Sequence, residues 1–368
     1  MMLVKCQVSN FKSANRKSET YEVFYRRPRG RSNARKAPVK RFTEGHGCGR
    51  IDPVKTPQPK QPIGVVQSLS SGFDLVTRHP QLMVLPILLD VFLWLGPHLS
   101  AYPLFRALMN FVQSAGMAAM DATTSQQTEA LQKLLDQIGQ TFNLFSWLSP
   151  TLLGVPSLMA GAMELKIPTG IPTVWSVSNS LVYFALFLAF NLIGLALSAT
   201  YWGMLAGQVR QQPLSPSRIV ALWWGLFKVA WLFILTTLFV GFPTMLVAMI
   251  GAFFNLLVAQ FVMLMGLSVL LWALFYLAFT VHGMALRDVS VLRSVQASVY
   301  LMRTQFPPTM GLLIVAIMIY IGLGFLWNIP PSDSWVKAAG ILGHAFVATG
   351  LVTATALYYV DRIPVPGG

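Results

Sequence analysis

The sequence predicts an all-α, polytopic transmembrane bundle of about six spans, with amphipathic helices at the inner interface and a helical cap outside. Three observations carry this. Hydrophobic residues make up 54% of the chain and charged residues only 11%, where a soluble domain carries roughly a quarter charged residues. Six apolar runs are each long enough to cross a bilayer, which takes about 20 helical residues. The basic residues flanking those runs fall mostly on one side.

The charge is uneven along the chain. Residues 1–81 hold 16 of the 27 Lys and Arg and five of the 13 acids, so +11 of the formal +14 sits there. The high pI therefore belongs to a tail, and the body is nearly neutral. Residues 1–62, with "YRRPRGRSNARKAPVKR" and "DPVKTPQPKQP", are too polar and Pro-rich to offset the entropy of ordering. They read as a disordered basic cytoplasmic tail that attracts anionic lipid at about 1 kcal/mol per basic residue near the surface. Charge-driven RNA binding and a true start near Pro62 are the competing readings. No specific nucleic acid is expected as a partner. Cys6 and Cys48 fit no zinc spacing and read as free thiols. The first twenty residues lack the apolar core of a cleavable signal.

The membrane domain is expected over 63–362, with a short tail at 363–368. The apolar runs fall near 82–99, 178–206, 219–243, 253–282, 309–329 and 337–360. With the N-terminus inside, the inner connections hold Arg210, Arg218, Arg287, Arg293, Arg303 and Arg362. The outer side holds Arg106, Lys133, Lys166 and Lys337, offset by nearby acids. Both termini are therefore placed inside, in a cell (inner) membrane. Trp94, Trp147, Trp175, Trp327 and Trp335 mark the outer interface, and Trp202, Trp223 and Trp224 the inner one.

The long outer connection, roughly 100–177, reads as a cap. Leu131, Leu134, Leu135 and Ile138 stand at helical spacing after Thr124 or Ser125 as N-cap. "LSPTLLGVPSLMAG" at 148–161 is apolar but too short to span, so it reads as interfacial or re-entrant. A helix lying on the lipid surface is the alternative to a cap.

The inner side shows a repeated pattern. Val66, Leu69, Phe73 and Val76 precede Arg78 and Pro80, and Leu292, Val295, Val299 and Met302 precede Arg303 and Pro307 at the same spacing. Each reads as an amphipathic interfacial helix broken by proline. A shorter version, "QQPLSPSR", stands at 211–218. An internal repeat and the plain need of any re-entering chain for a basic anchor and a breaker both account for the pattern. Arg78, Arg218, Arg287, Arg293 and Arg303 are the expected inner-surface basic anchors.

Asp90 is the one acid deep within a run. A central Asp costs about 2.5–3.5 kcal/mol on insertion scales, against roughly 3–6 kcal/mol supplied by the ten Leu, Ile, Val and Phe residues around it. A partner would help. Lys228 stands at a matching depth, and Asn191, Asn255 and Gln260 would complete an intramembrane polar cluster. Lys228 snorkelling to the surface and amides acting as interhelical glue are the structural alternatives. Gly203 with Gly207, Gly194 with Ser198, and Ala339 with Gly343 read as packing seams.

No two of the five histidines stand at i, i+3 or i, i+4, and none of the usual phosphate-binding, zinc-protease or serine-hydrolase motifs occurs. The expectation is no metal, no cofactor and no catalysis. Two stretches, "GFDLVTRHPQLMVLPILLDV" at 72–91 and "LWNIPPSDSW…GILGHAFVATGLVTATALYYVDR" over 326–362, resemble a group of bacterial multi-pass membrane proteins without assigned activity. The layout of inner helix, Arg, Pro and span is also similar to membrane regions attached to some glycerophosphodiester phosphodiesterases. That resemblance covers roughly 65–362 and implies a multi-pass domain. It carries over no catalytic residue. The leading expectation is a non-catalytic component that binds or organises lipid or a protein partner. The alternative is a transporter or channel for a small solute using the cluster around Asp90.

Overall fold

The computed structural model describes residues 62–363, except 115–132, 134–135, 138, 151–152 and 163–165. The basic tail and the Leu131–Ile138 stripe with its cap residues lie outside the described residues.

Among the described residues the chain is a helical bundle, with ten α-helices and one pair of three-residue strands. Helix α1 spans Val65–Arg78 and α2 spans Val84–Leu95, joined by a 3-10 turn at Pro80–Met83. Strand β1 (His98–Ser100) pairs in parallel with β2 (Val174–Ser176). Helix α3 (Tyr102–Ser114) and 3-10 turns at Leu144–Leu148 and Met159–Gly161 lie between them in sequence. The long helices follow: α4 (Ser180–Arg210), α5 (Pro216–Phe254), α6 (Leu256–Leu277), α7 (Thr280–Arg287), α8 (Val291–Thr304), α9 (Phe306–Asn328) and α10 (Lys337–Arg362).

Among the described residues, five helical segments are long and apolar enough to cross a membrane: α4, α5, α6 continued through α7, α9 and α10. The first expected run differs. It does not form one straight span. Pro80 cannot donate a helical hydrogen bond, and the chain bends by 94° between α1 and α2. Helix α2 alone has 12 residues, about 18 Å, which falls short of a ~30 Å hydrocarbon core. Residues 98 and 99 pass into β1. A sixth crossing exists only if the bent pair counts as one. The third run also differs, because α5 continues through Pro243 to Phe254. Its 39 residues extend about 58 Å, and the turn into α6 is made at Asn255 alone, whose side chain accepts from the Leu257 N–H.

Helix α10 is the centre of the bundle. About 67% of its most apolar window is buried in protein, against 6–17% for the other four segments. This explains its composition. It carries His344, Thr349, Thr353 and Thr355, all buried, where the lipid-facing helices are nearly pure hydrocarbon. Tyr201 of α4, Phe279 beside α7, and Tyr358 and Tyr359 of α10 are fully buried where these helices meet, with Phe279 stacked 6.0 Å from Tyr359.

Each of the two inner amphipathic helices packs one side into the bundle. Helix α1 buries Ser68, Gly72 and Val76, and α8 buries Ser294, Ser298 and Met302. These triplets occupy corresponding positions in the repeated pattern, each at i, i+4, i+8. Small residues allow close approach. A Cβ on Gly72 would stand 2.6 Å from the Gly350 carbonyl of α10, and Ser298 donates to the Tyr276 carbonyl at 2.7 Å. The leading residues of the pattern, Val66 and Leu292, are exposed. The apolar stripe is thus offset from the buried seam.

Filling the α1 seam should be costly. Gly72→Val is expected to destabilise by about 1–3 kcal/mol through overpacking, while Val66→Ala, on the exposed side, leaves the unfolding midpoint unchanged. Thermal unfolding in detergent, followed by tryptophan fluorescence, checks this. Equal midpoints for the two variants would contradict the seam.

Candidate functional site

Helix α2 carries Asp90 in its second turn, with no water-accessible surface. A buried carboxylate needs several hydrogen bonds to be tolerated. The segment 157–159 supplies them. Ser157 Oγ donates to Oδ1, the Leu158 N–H donates to Oδ2 at 3.0 Å, and the Met159 N–H donates to Oδ1 at 3.0 Å. These amides open the 3-10 turn Met159–Gly161, whose first N–H groups have no partner within the turn. Asp90 therefore caps that turn from a different helix. Ser157 Oγ also accepts from the Ala160 N–H at 3.0 Å, closing the local network.

Lys337 acts on Asp90 only as a minor electrostatic contribution beside these hydrogen bonds. Lys337 opens α10 and is 2% exposed. Its Nζ donates to Asn328 Oδ1 at 2.9 Å and reaches the Pro330 carbonyl at 3.4 Å. Trp94, one turn beyond Asp90, donates from Nε1 to the Ser332 carbonyl at 2.7 Å. The end of α2, the 157–161 segment and the α9–α10 connection are thereby fastened together.

A second anchor holds the strand pair. Asn143 Oδ1 accepts from the Leu99 and Phe145 N–H groups, both at 3.1 Å. His98 is buried beside it, with the Phe142 backbone acting on its ring. Gly194 of α4 has the backbone of 147–150 laid against it, so a Cβ there would stand 2.7 Å from the Leu148 carbonyl. The expected Gly194–Ser198 seam thus receives the cap segment.

Between cap and bundle lies a cleft of about 510 Å³, lined by Phe142, Trp147, Pro150, Val155, Tyr320 and Val352 among others, with Ser157 on its wall. The walls are mostly apolar, and the size is that of a small-ligand site.

The expected polar cluster does not assemble. Asp90 is satisfied by the cap. Lys228 is exposed on α5 and lines a different cavity with Arg218 and Asp288. Asn191 turns back to the Phe187 carbonyl at 2.8 Å, Asn255 caps α6, and Gln260 is exposed. Sequence depth matched Asp90 to Lys228, but depth does not place two helices side by side. The sequence places Lys337 among the outer-side charges. Its position at the start of a span, after the turn-forming "NIPPSDS", was the available signal.

The basic residues divide. Arg78, Arg293 and Arg303 are exposed. Arg287 instead donates to the Val360 carbonyl at 2.7 Å and to the Ile363 carbonyl, satisfying the last turn of α10. Arg362 donates to the Ile63 carbonyl at 2.8 Å, and Asp361 accepts from the Ile63 N–H at 2.8 Å. Arg210 and Arg218 share Asp288, which caps α7 in a left-handed conformation with φ 52°. Among the described residues no three His, Cys, Asp or Glu side chains gather as a metal site.

Two measurements test the anchors. Asp90→Ala should destabilise by about 1–3 kcal/mol, because three donors are left buried without their acceptor. In double-mutant cycles it should couple to Ser157→Ala, and be additive with Lys228→Leu within about 0.5 kcal/mol. His98 gives a pH test. Burial pushes its imidazole below the ordinary value near 6.5, with the Phe142 hydrogen bond opposing. The ring is neutral when packed and takes up a proton when released, so its stabilisation is complete above about pH 6.5 and declines as pH falls below that value. Hydrogen exchange of 98–100 and 174–177, corrected for intrinsic rates, should rise at pH 5 in the wild type. The rise should be smaller in His98→Gln.

No protein-family model, curated protein or solved structure matches this chain.

Proposed function

We propose that the protein is a non-catalytic membrane component that binds lipid in the cleft beneath its cap. The carrying observation is the state of Asp90. A transport role needs that carboxylate to meet water and exchange protons or solute, whereas here it is completely buried and fastened to the cap by three hydrogen bonds. The cap is thus docked by a built anchor, and what it covers is an apolar-walled space of about 510 Å³, suited to part of an acyl chain. Among the described residues, Ser157 Oγ on its wall donates to the Asp90 carboxylate, which binds the cap in place.

The same reading places the end carrying Arg210, Arg218, Arg287 and Arg362 in the cytoplasm of a cell (inner) membrane, and the cap outside, following the distribution of basic residues. Both termini then lie inside.

Gly161→Trp tests the cleft. Gly161 lines it, and nothing stands within 4 Å of a Cβ built there, so an indole can occupy the space without a core clash. Protein purified in mild detergent should retain lipid, detected by mass spectrometry of the extract. The variant should retain several-fold less at an unchanged unfolding midpoint. Equal retention would remove the cleft as the lipid site.

A further inference from the structure

We infer that a groove at the basic end, between α5 and the α7–α8 connection, is a headgroup site for an anionic phospholipid. It is separate from the cleft beneath the cap, and its failure would leave that reading intact. The groove encloses about 400 Å³ and is walled by Arg218, Trp224, Gly225 and Lys228 of α5 against Met284 and Asp288.

The helix period builds it. Arg218, Leu222, Gly225 and Lys228 stand at i, i+4, i+7 and i+10, so they share one face of α5. Gly225 lets Met284 pack close against the middle of that face, since a Cβ there would stand 3.0 Å from Met284 Sδ. The two cations are about 15 Å apart along the axis, with Arg218 held at one end and the Lys228 side chain at the other, so both border the same groove.

Charge accounting points to an anion. Arg210, Arg218 and Lys228 face one carboxylate, Asp288. That carboxylate already binds both arginines, Arg210 Nη1 and Arg218 Nε, the latter at 3.1 Å, while Arg218 Nη2 donates to the Ala285 carbonyl at 2.7 Å. Asp288 therefore fixes Arg218 in place and leaves an excess positive charge. Lys228 makes no hydrogen bond or ion pair among the described residues. An uncompensated ammonium within an apolar helix is costly unless it finds an anion or the interface.

The surroundings identify the anion as part of a lipid. Trp224, on the groove wall, is half exposed, and Trp231, Ile234 and Leu235 continue an exposed apolar surface further along the same helix. A headgroup held by Arg218 and Lys228 would have its acyl chains laid on that surface. Basic pockets of this kind between membrane helices suit phosphodiester headgroups.

The test uses the full chain in nanodiscs. Wild type and Lys228→Gln are compared for binding of phosphatidylglycerol against phosphatidylcholine, by native mass spectrometry and thermal shift. The basic tail is common to both proteins, so its contribution cancels in the difference. Lys228 is exposed, so the variant should fold, and an unchanged midpoint in phosphatidylcholine verifies that. The expected result is preferential retention of phosphatidylglycerol by wild type, weakened about fivefold in Lys228→Gln and restored in Lys228→Arg. Equal retention by wild type and Lys228→Gln overturns the site. So does an equal thermal shift from millimolar inorganic phosphate alone, which would assign the groove to a free anion.

Discussion

The buried carboxylate of Asp90 is the constraint on which the cap end depends. A carboxylate moved from water into a protein interior loses solvation worth many kcal/mol, and the segment that accepts it must return most of that through directed donors. A 3-10 turn is suited to the task because its opening amides point the same way and have no partners of their own. Each side answers the other's need. The turn Met159–Gly161 is too short to persist alone, and Asp90 would strain the insertion of α2 without it. Through Trp94 and Ser332 their union also fixes where the α9–α10 connection sits. One charged side chain thus positions three segments that are far apart in sequence.

The opposite end solves a related problem with cations. Helices finish with carbonyls that lack intrahelical partners, and arginine can reach two of them at once. Arg287 does this for the last turn of α10, and Arg218 reaches Ala285 near the end of α7. Asp288 then links α4 and α5 through Arg210 and Arg218. So basic residues that look like simple topology signals serve two physical roles. Arg78, Arg293 and Arg303 stay exposed, whereas Arg287 and Arg362 close backbone groups.

Much of the architecture was legible in the sequence, for a physical reason. A helix facing lipid must satisfy its backbone internally and cover itself with hydrocarbon, so hydropathy alone marked the segments that became α4, α5, α6, α9 and α10. Its failures are equally physical. Pro243 looked like an end, but a proline removes one hydrogen bond without forcing a helix to stop, and α5 runs on to Asn255. The bend at Pro80 was visible, but neither its 94° angle nor the seating of Gly72 against Gly350 of α10, 278 positions away, leaves a mark in local sequence. The partners of Asp90 were invisible because two of the three are backbone amides, which leave no mark on residue identity. Asp90 itself stood out only as a charge that insertion did not require.

The contrast between Asp90 and Lys228 carries the argument furthest. Both are ionisable groups in apolar helices, and sequence depth alone made them a pair. Asp90 is enclosed and accepts from three donors, so its polar demand is met inside the fold. Lys228 is exposed and without a counter-ion among the described residues, beside a groove that already holds excess positive charge. A group whose charge is satisfied internally holds structure, and a group whose charge is unsatisfied at a surface recruits a ligand. The cap end is therefore organised around the protein's own contacts, and the basic end presents its charge outward.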